Sequence, residues 1–255
     1  MSALTRLLDK TPSSLARLFG SDRLPSRISR PLLNRLVPSR LTSVVVRSGE
    51  AKGLTLLIDP KNEKYYWSGV REEAVQAALV ELLPDGACFW DVGAHIGFFS
   101  LIAARRVGPS GVVYAFEPSR ENRARLASVL EANAANNVEV LPVAVSAEDG
   151  AAVIHRHPSS TMWSLEPSDD REPAYEVECR SLDSLWREGL RAPDVVKVDV
   201  EGTEVDVLRG ATGLIAEHHP VMIVEFSNDE LLAEARELFR GSTWRQLDAS
   251  RWVIA

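Results

Sequence analysis

The chain has 255 residues, 45% apolar and 25% charged, with a net charge of −7. That length holds one large domain with a full core, or at most two small ones, at an ordinary globular composition. No apolar run reaches the roughly 18 residues that a spanning helix needs, so stable membrane insertion is not expected.

Arg6, Asp9, Lys10 and Arg17 break up every candidate apolar h-region near the N-terminus. No secretory signal is read there, and a cytoplasmic protein is expected. Residues 1–40 carry eight basic and two acidic side chains, so the −7 total leaves −13 on residues 41–255. An acidic body argues against a broad phosphate-binding surface, and no nucleic-acid partner is expected. The basic arm reads either as a solvated, partly helical extension or as a contact for an anionic partner. Cys88 and Cys179 lie in apolar or strand-like contexts and read as buried thiols. No C-x-x-C or H-E-x-x-H spacing occurs, so no zinc site is expected.

Pro12, Pro25, Pro31 and Pro38 punctuate the first 40 residues, with short helices expected around 13–19 and 31–36. Thr42–Arg47 and Leu54–Ile58 are β-prone runs joined by a turn at Gly49–Gly53, which reads as a hairpin. Residues 1–69 are therefore taken as a basic lead-in plus hairpin, and 70–255 as the main domain. From there strands and helices alternate. Arg71–Leu83 has helical spacing, Cys88–Val92 is a short apolar strand, and Gly97–Val107 is a helix. Val112–Phe116 follows as a strand, Arg120–Ala135 as a helix, and Val138–Val145 as one strand. Residues 150–180 are less regular, with β-prone pieces at Ala151–His155 and Tyr175–Cys179. Ser181–Gly189 reads as a helix, Val195–Val200 as a strand, and Val205–His218 as a single helix. Val221–Phe226, Asp229–Arg240 and a terminal hairpin at 244–247 and 251–254 complete the pattern. Such alternation implies a mostly parallel sheet covered by helices on both faces. Ligands of such sheets bind beyond the carboxyl ends of the strands, at the switch point.

Chemistry-bearing residues fall at those ends. After the first core strand comes Asp91-Val92-Gly93-Ala94-His95-Ile96-Gly97. Gly93 and Gly97 permit a sharp turn and a close approach to a ligand, and Asp91 adds an acid at the mouth. A dinucleotide loop uses three glycines to seat a pyrophosphate; an acid here repels pyrophosphate and suits an ammonium group. Glu117, at the end of the second strand, is placed to accept hydrogen bonds from ribose hydroxyls. Lys197-Val198-Asp199-Val200-Glu201 alternates charge along and beyond an apolar strand. These charges either pair structurally or serve a ligand, because unpaired burial is costly. Glu225 reads as a solvated strand end or an outward-facing site carboxylate. His155 and His157 read as surface residues or parts of a lid, and Met162 and Trp163 as core residues of an inserted hairpin or as stacking partners for a substrate.

These pieces together resemble the FkbM family of methyltransferases. The matching segments are DVGAHIGFFS (91–100), VVYAFEP (112–118), VAVS (143–146), SSTMWSL (159–165) and KVDVEGTEVDVLRGA (197–211). The resemblance implies a Rossmann-like methyltransferase fold with a mostly parallel seven-stranded sheet. It implies contacts to S-adenosylmethionine at Asp91, Gly93, Ala94, His95, Gly97, Glu117, Pro118 and Ala144. It implies site roles for Asp199, Glu201 and Lys197, and O-methylation of a hydroxyl on a small metabolite, polyketide or sugar. His95 departs from the asparagine more usual in the family.

An alcohol must lose its proton to attack a methyl group, and Asp199 or Glu201 is the expected general base, the other carboxylate holding the cofactor or capping the next helix; Lys197 either orients one of them or binds an acidic substrate. No metal is expected, because two carboxylates alone do not make a hard-cation site. An NAD-dependent oxidoreductase is an alternative that shares the fold and the ribose acid, but this chain lacks the third glycine of the dinucleotide spacing and carries Asp91 at the loop mouth. A non-catalytic S-adenosylmethionine-binding module is the other alternative. The sequence sets neither the acceptor's identity nor the oligomeric state.

Overall fold

A computed structural model describes residues 40–156, 163–165 and 172–255. The basic arm with its two expected helices, together with His157 and Met162, lies outside the described residues.

The first elements form the expected hairpin. β1 (Thr42–Val45) and β2 (Thr55–Ile58) pair antiparallel, with Thr42 opposite Ile58. A short helix absent from the sequence reading follows, α1 (Lys64–Ser68), closed by Gly69 in the left-handed conformation at φ 80°. Then come α2 (Glu73–Leu82), β3 (Cys88–Val92), α3 (Phe98–Val107), β4 (Val112–Phe116) and α4 (Arg120–Ala132). β5 (Val138–Leu141) and β6 (Ala144–Val145) replace the single expected strand, because Pro142 has no N–H to continue the ladder. β7 (Gly150–Arg156), β8 (Trp163–Ser164) and β9 (Glu172–Arg180) precede α5 (Leu182–Arg187) and β10 (Val195–Val198). The expected long helix is two: α6 (Glu204–Arg209) and α7 (Thr212–His218). Asp183 separates them. Its N–H takes the Gly210 carbonyl at 2.8 Å. Its carboxylate accepts the N–H groups of Gly213 and Leu214 at 3.0 and 2.7 Å, starting a new helix. β11 (Val221–Glu225), α8 (Asp229–Leu238), β12 (Trp244–Gln246) and β13 (Arg251–Ile254) complete the chain.

The principal sheet has seven strands in the order β12-β13-β11-β10-β3-β4-β5. β11, β10, β3, β4 and β5 run parallel, and β13 joins antiparallel to both β11 and β12. The order reverses at β3, which lies between β10 and β4. That is the switch point, where a crevice opens beyond the strand ends. The β-prone pieces at Ala151–His155 and Tyr175–Cys179 form strands β7 and β9 of a second sheet, β6-β9-β7-β8, which branches off where the chain leaves the main sheet after Pro142.

Strand alternation divides the core. Cys88, Trp90 and Val92 pack with α5–α8, whereas Phe89 packs with α2, α3 and the N-terminal hairpin. The hairpin has no separate core: Val44, Leu56, Ile58 and Trp67 belong to the same apolar cluster as Leu79, Phe98 and Leu126. No described helix is long and apolar enough to cross a membrane.

Two polar joints fasten this N-terminal segment to α4. Asn133 exchanges two hydrogen bonds with the Thr55 backbone, at 2.8 and 2.7 Å. Arg125 clasps the buried Glu63 with both terminal nitrogens and also donates to the Leu57 carbonyl. Burial opposes ionisation of Glu63, but Arg125 outweighs it and keeps the carboxyl below its usual range. Breaking such a pair strands a buried charge. Arg125→Met is therefore expected to cost about 3–5 kcal/mol in a urea unfolding experiment; a loss below about 1 kcal/mol contradicts this joint.

Candidate active site at the sheet switch point

The tightest point of the crevice is a backbone crossing. Gly93 follows β3 with φ 79°, and a Cβ added there would stand 1.9 Å from the Asp199 carbonyl oxygen. Only glycine allows the loops after β3 and β10 to meet this closely. Gly97, at φ 82°, caps α3, and its bare Cα packs against Leu126 of α4. Between them His95 adopts φ 52°, a strained setting for a residue with a side chain.

This conformation turns the loop's N–H groups toward β4. Gly93 and Ala94 both donate to the Phe116 carbonyl at 3.1 Å. The His95 N–H donates to Glu117 Oε2 at 2.7 Å, and Ser119 N–H to Oε1 at 2.8 Å. Asn122 reaches the same Oε1 at 3.4 Å. Glu117 is 4% exposed yet forms part of the crevice wall. Burial pushes its carboxyl up to about 7, although the two backbone donors and Asn122 pull the other way.

The opposite wall comes from the loop after β10. Glu201 has φ 59°, and its carbonyl accepts Ser164 Oγ from β8 at 2.8 Å. The buried Glu204 braces this loop through the Gly202 N–H at 2.9 Å and Ser227 at 2.8 Å. Lys197 Nζ lies 3.1 Å from Asp199 Oδ2 and 3.9 Å from Asp91 Oδ1. Burial disfavours both charges of the Lys197–Asp199 pair, but mutual attraction prevails. The ammonium is held above its ordinary range, and Asp199, with Arg71 adding to the pull, below its own.

These residues border a cavity of about 310 Å³, within the lower part of the range of roughly 300–1,000 Å³ for small-molecule sites. Gly93, His95, Glu117, Pro118, Ala144, Asp199 and Glu201 line it. Ala94 and Gly97 shape the loop from behind. Asp91 does not reach the mouth of the loop: it shares strand parity with Phe89, so its carboxylate points toward α3 and accepts Ser100 Oγ at 2.5 Å. Lys197 lies directly across from Asp91 in the β3–β10 register and is likewise buried behind the wall. Glu225 also lines the cavity, and its carboxylate is clasped by Arg251 at 2.9 and 2.7 Å.

Sequence reasoning missed one wall. Tyr65 and Tyr66 of α1 and the adjoining Arg71 all line the cavity. Tyr66 Oη stands 3.3 Å from His95 Nδ1. Burial lowers the His95 pKa to about 4, against the pull of Glu63, so the ring is neutral at physiological pH. The one available signal was Gly69 closing an aromatic run. Trp163 lines the cavity from β8, with its ring centroid 5.7 Å from that of Tyr175.

Among the described residues, the acidic group compact enough to share a cation is Glu72, Asp199 and Glu225, with ligand atoms within 4.8 Å of one another. Three cations already face it: Arg71 on Glu72, Lys197 on Asp199, and Arg251 on both Glu72 and Glu225.

The Gly93 contact yields a direct test. Gly93→Ala places a side chain where the Asp199 carbonyl stands and forces φ 79° on a residue that rarely adopts it. The backbone conformation alone costs about 1–3 kcal/mol. Chemical denaturation is expected to show at least that loss; unchanged stability contradicts the crossing.

Residues 91–245 match the family model described as the Methyltransferase FkbM domain. The chain is 29% identical over 145 residues to a hexuronic acid methyltransferase, AglP, of Haloferax volcanii, a match covering 56% of this chain and 58% of that protein. Methyltransferase 1 of Beauveria bassiana is 26% identical over 148 residues, covering 50% of this chain and 59% of its own. The match thus spans less than two thirds of these curated relatives. Among solved structures, the methyltransferase FkbM of Methylobacillus flagellatus KT aligns with a TM-score of 0.48 at 20% identity, over 72% of this chain and 51% of that one. With the glycine loop, Glu117 and the whole Lys197–Ala211 segment inside the matched residues, this chain belongs to the FkbM methyltransferase family.

Proposed function

We propose that the protein transfers a methyl group from S-adenosylmethionine to an oxygen of a small hydroxylated acceptor, with sugars and sugar acids the favoured class. One observation carries the reading: Glu117, oriented by the His95 and Ser119 N–H groups, faces a cavity at the switch point of the sheet. A carboxylate held there by backbone donors has lone pairs left to accept ribose hydroxyls. The donor set fits a nucleoside without phosphate. Glu117, Asp199, Glu201 and Glu225 ring the cavity, and four acids repel the pyrophosphate of a dinucleotide. Support for a sugar comes from the name of the Haloferax relative and from the rings of Tyr65, Tyr66 and Trp163 on the cavity wall.

Bound here, S-adenosylmethionine supplies an electrophilic methyl group on a sulfonium; the protein's part is alignment and electrostatics. Asp199 is kept as a carboxylate by Lys197 and Arg71, so it accepts a proton from an acceptor hydroxyl across the physiological range. Lys197 orients Asp199 from behind, and Glu201 binds acceptor hydroxyls beside it. Asp199→Asn is expected to lower kcat by about 10²–10⁴-fold while adenosylhomocysteine affinity stays within a few-fold. The acceptor for this assay comes from a screen of uronic acids and other hydroxylated metabolites. A fall of that size in Glu201→Gln, with Asp199→Asn near wild type, reverses the assignment.

Glu117 makes cofactor binding depend on pH. Hydrogen bonds from ribose hydroxyls favour the ionised carboxylate, whose protonation midpoint burial has raised to about 7. Affinity for adenosylhomocysteine should therefore rise as the carboxyl loses its proton, by about tenfold between pH 6 and pH 8. Calorimetric titration of the wild type and Glu117→Gln checks this: the variant is expected to bind weakly with no such pH dependence. Binding that is flat with pH in the wild type, or tight binding of NAD alone, contradicts the reading.

A further inference from the structure

Arg71 stands in the link between α1 and α2, outside the residues that match the family domain. Its guanidinium lies 5.1 Å from the Tyr65 ring centroid and 6.0 Å from that of Tyr66. Its Nε side is taken by Glu72, which Arg251 holds from the other direction at 3.1 Å. Glu72 is itself fixed at φ 48°, a left-handed setting that a non-glycine residue adopts only under constraint. The surroundings thus hold the Arg71 plane in place by its face and by one edge. Its Nε meets Glu72 as an ion pair without a hydrogen bond, the two terminal nitrogens make no hydrogen bond among the described residues, and the side chain, 32% exposed, lines the cavity.

We propose that Arg71 is a carboxylate-reading residue of this cavity, taking a planar two-oxygen anion on the open fork of its guanidinium. The fork matches a carboxylate in a bidentate fashion, and the aromatic packing means little further ordering is needed on binding. The charge pattern favours a carboxylate over a phosphate, because the cavity acids Asp199, Glu201 and Glu225 repel a dianion more strongly. They also suit what accompanies a carboxylate in either of its two sources. The amino-acid tail of the cofactor adds an ammonium, and a sugar acid adds hydroxyl donors. This assignment rests on the methyltransferase reading above.

The test compares ligands that differ only in that carboxylate. Adenosylhomocysteine and its decarboxylated analogue are titrated into wild type, Arg71→Met and Arg71→Lys, each first checked for a native unfolding transition. If the cofactor tail is the target, wild type prefers adenosylhomocysteine by about tenfold or more. Arg71→Met then brings the two ligands within about twofold, and Arg71→Lys restores part of the preference. If wild type binds the two alike, D-glucuronate and D-glucose are titrated into the adenosylhomocysteine complex; a preference for glucuronate that Arg71→Met erases assigns the acceptor as the target. Should Arg71→Met fail to fold, the same ratios in Arg71→Lys decide, since a lysine keeps the charge and loses the fork. Preferences unchanged from wild type in both comparisons, or no preference in wild type in either, overturn the role of Arg71 alone. A wild type that binds no adenosyl ligand overturns the methyltransferase reading and this proposal with it.

Discussion

Everything at this site depends on how closely two loops approach. The Gly93 Cα rests against the Asp199 carbonyl with no room for a single further carbon. That contact sets the floor of the crevice. From it the β3 loop turns its N–H groups onto Phe116 and Glu117, and the β10 loop carries Asp199 and Glu201 to the facing wall. The parallel register of β10, β3 and β4 supplies the rigidity; the loops supply the chemistry.

Charge is organised in two layers around this floor. Asp91 and Lys197 lie opposite one another across neighbouring strands, on the α3 side of the sheet, and neither lines the cavity. Their role is electrostatic: Lys197 faces both Asp91 and Asp199 and keeps the cavity-lining member of the trio ionised. On the other side Arg251 draws together Glu72 and Glu225. The N-terminal segment then closes the cavity with Tyr65, Tyr66 and Arg71, held there by the Glu63–Arg125 clasp. Glu63 also lies 3.9 Å from His95 Nε2, so the clasp and the glycine loop are neighbours.

The legible parts of the fold were those written in local pattern. Cys88–Val92 and Val112–Phe116 are bounded apolar runs followed by turn residues, and both strands form over those same residues. The glycine loop and Glu117 were visible because a strand end followed by glycine or acid has meaning in a parallel sheet. Other features depend on partners distant in sequence. α1 is five residues long and has no period to detect. The break after Arg209 needs Asp183, and the buried Asp91 carboxylate finds its donor in Ser100 of the next helix. Arg71 lines the cavity from a position set by Tyr65, Glu72 and Gln76, in a segment that Arg125, far along the chain, anchors through Glu63. Tertiary placement of this kind leaves no periodic trace in the segment that is placed.

The central claim is that the buried carboxylate after β4 grips the sugar of an adenosyl donor. A crystal structure of the complex with adenosylhomocysteine tests it most directly. The account predicts the ribose hydroxyls within hydrogen-bond distance of Glu117, with the nucleoside lodged between the loops after β3 and β4. A ligand seated elsewhere, with Glu117 bonded to nothing but His95, Ser119 and Asn122, contradicts it.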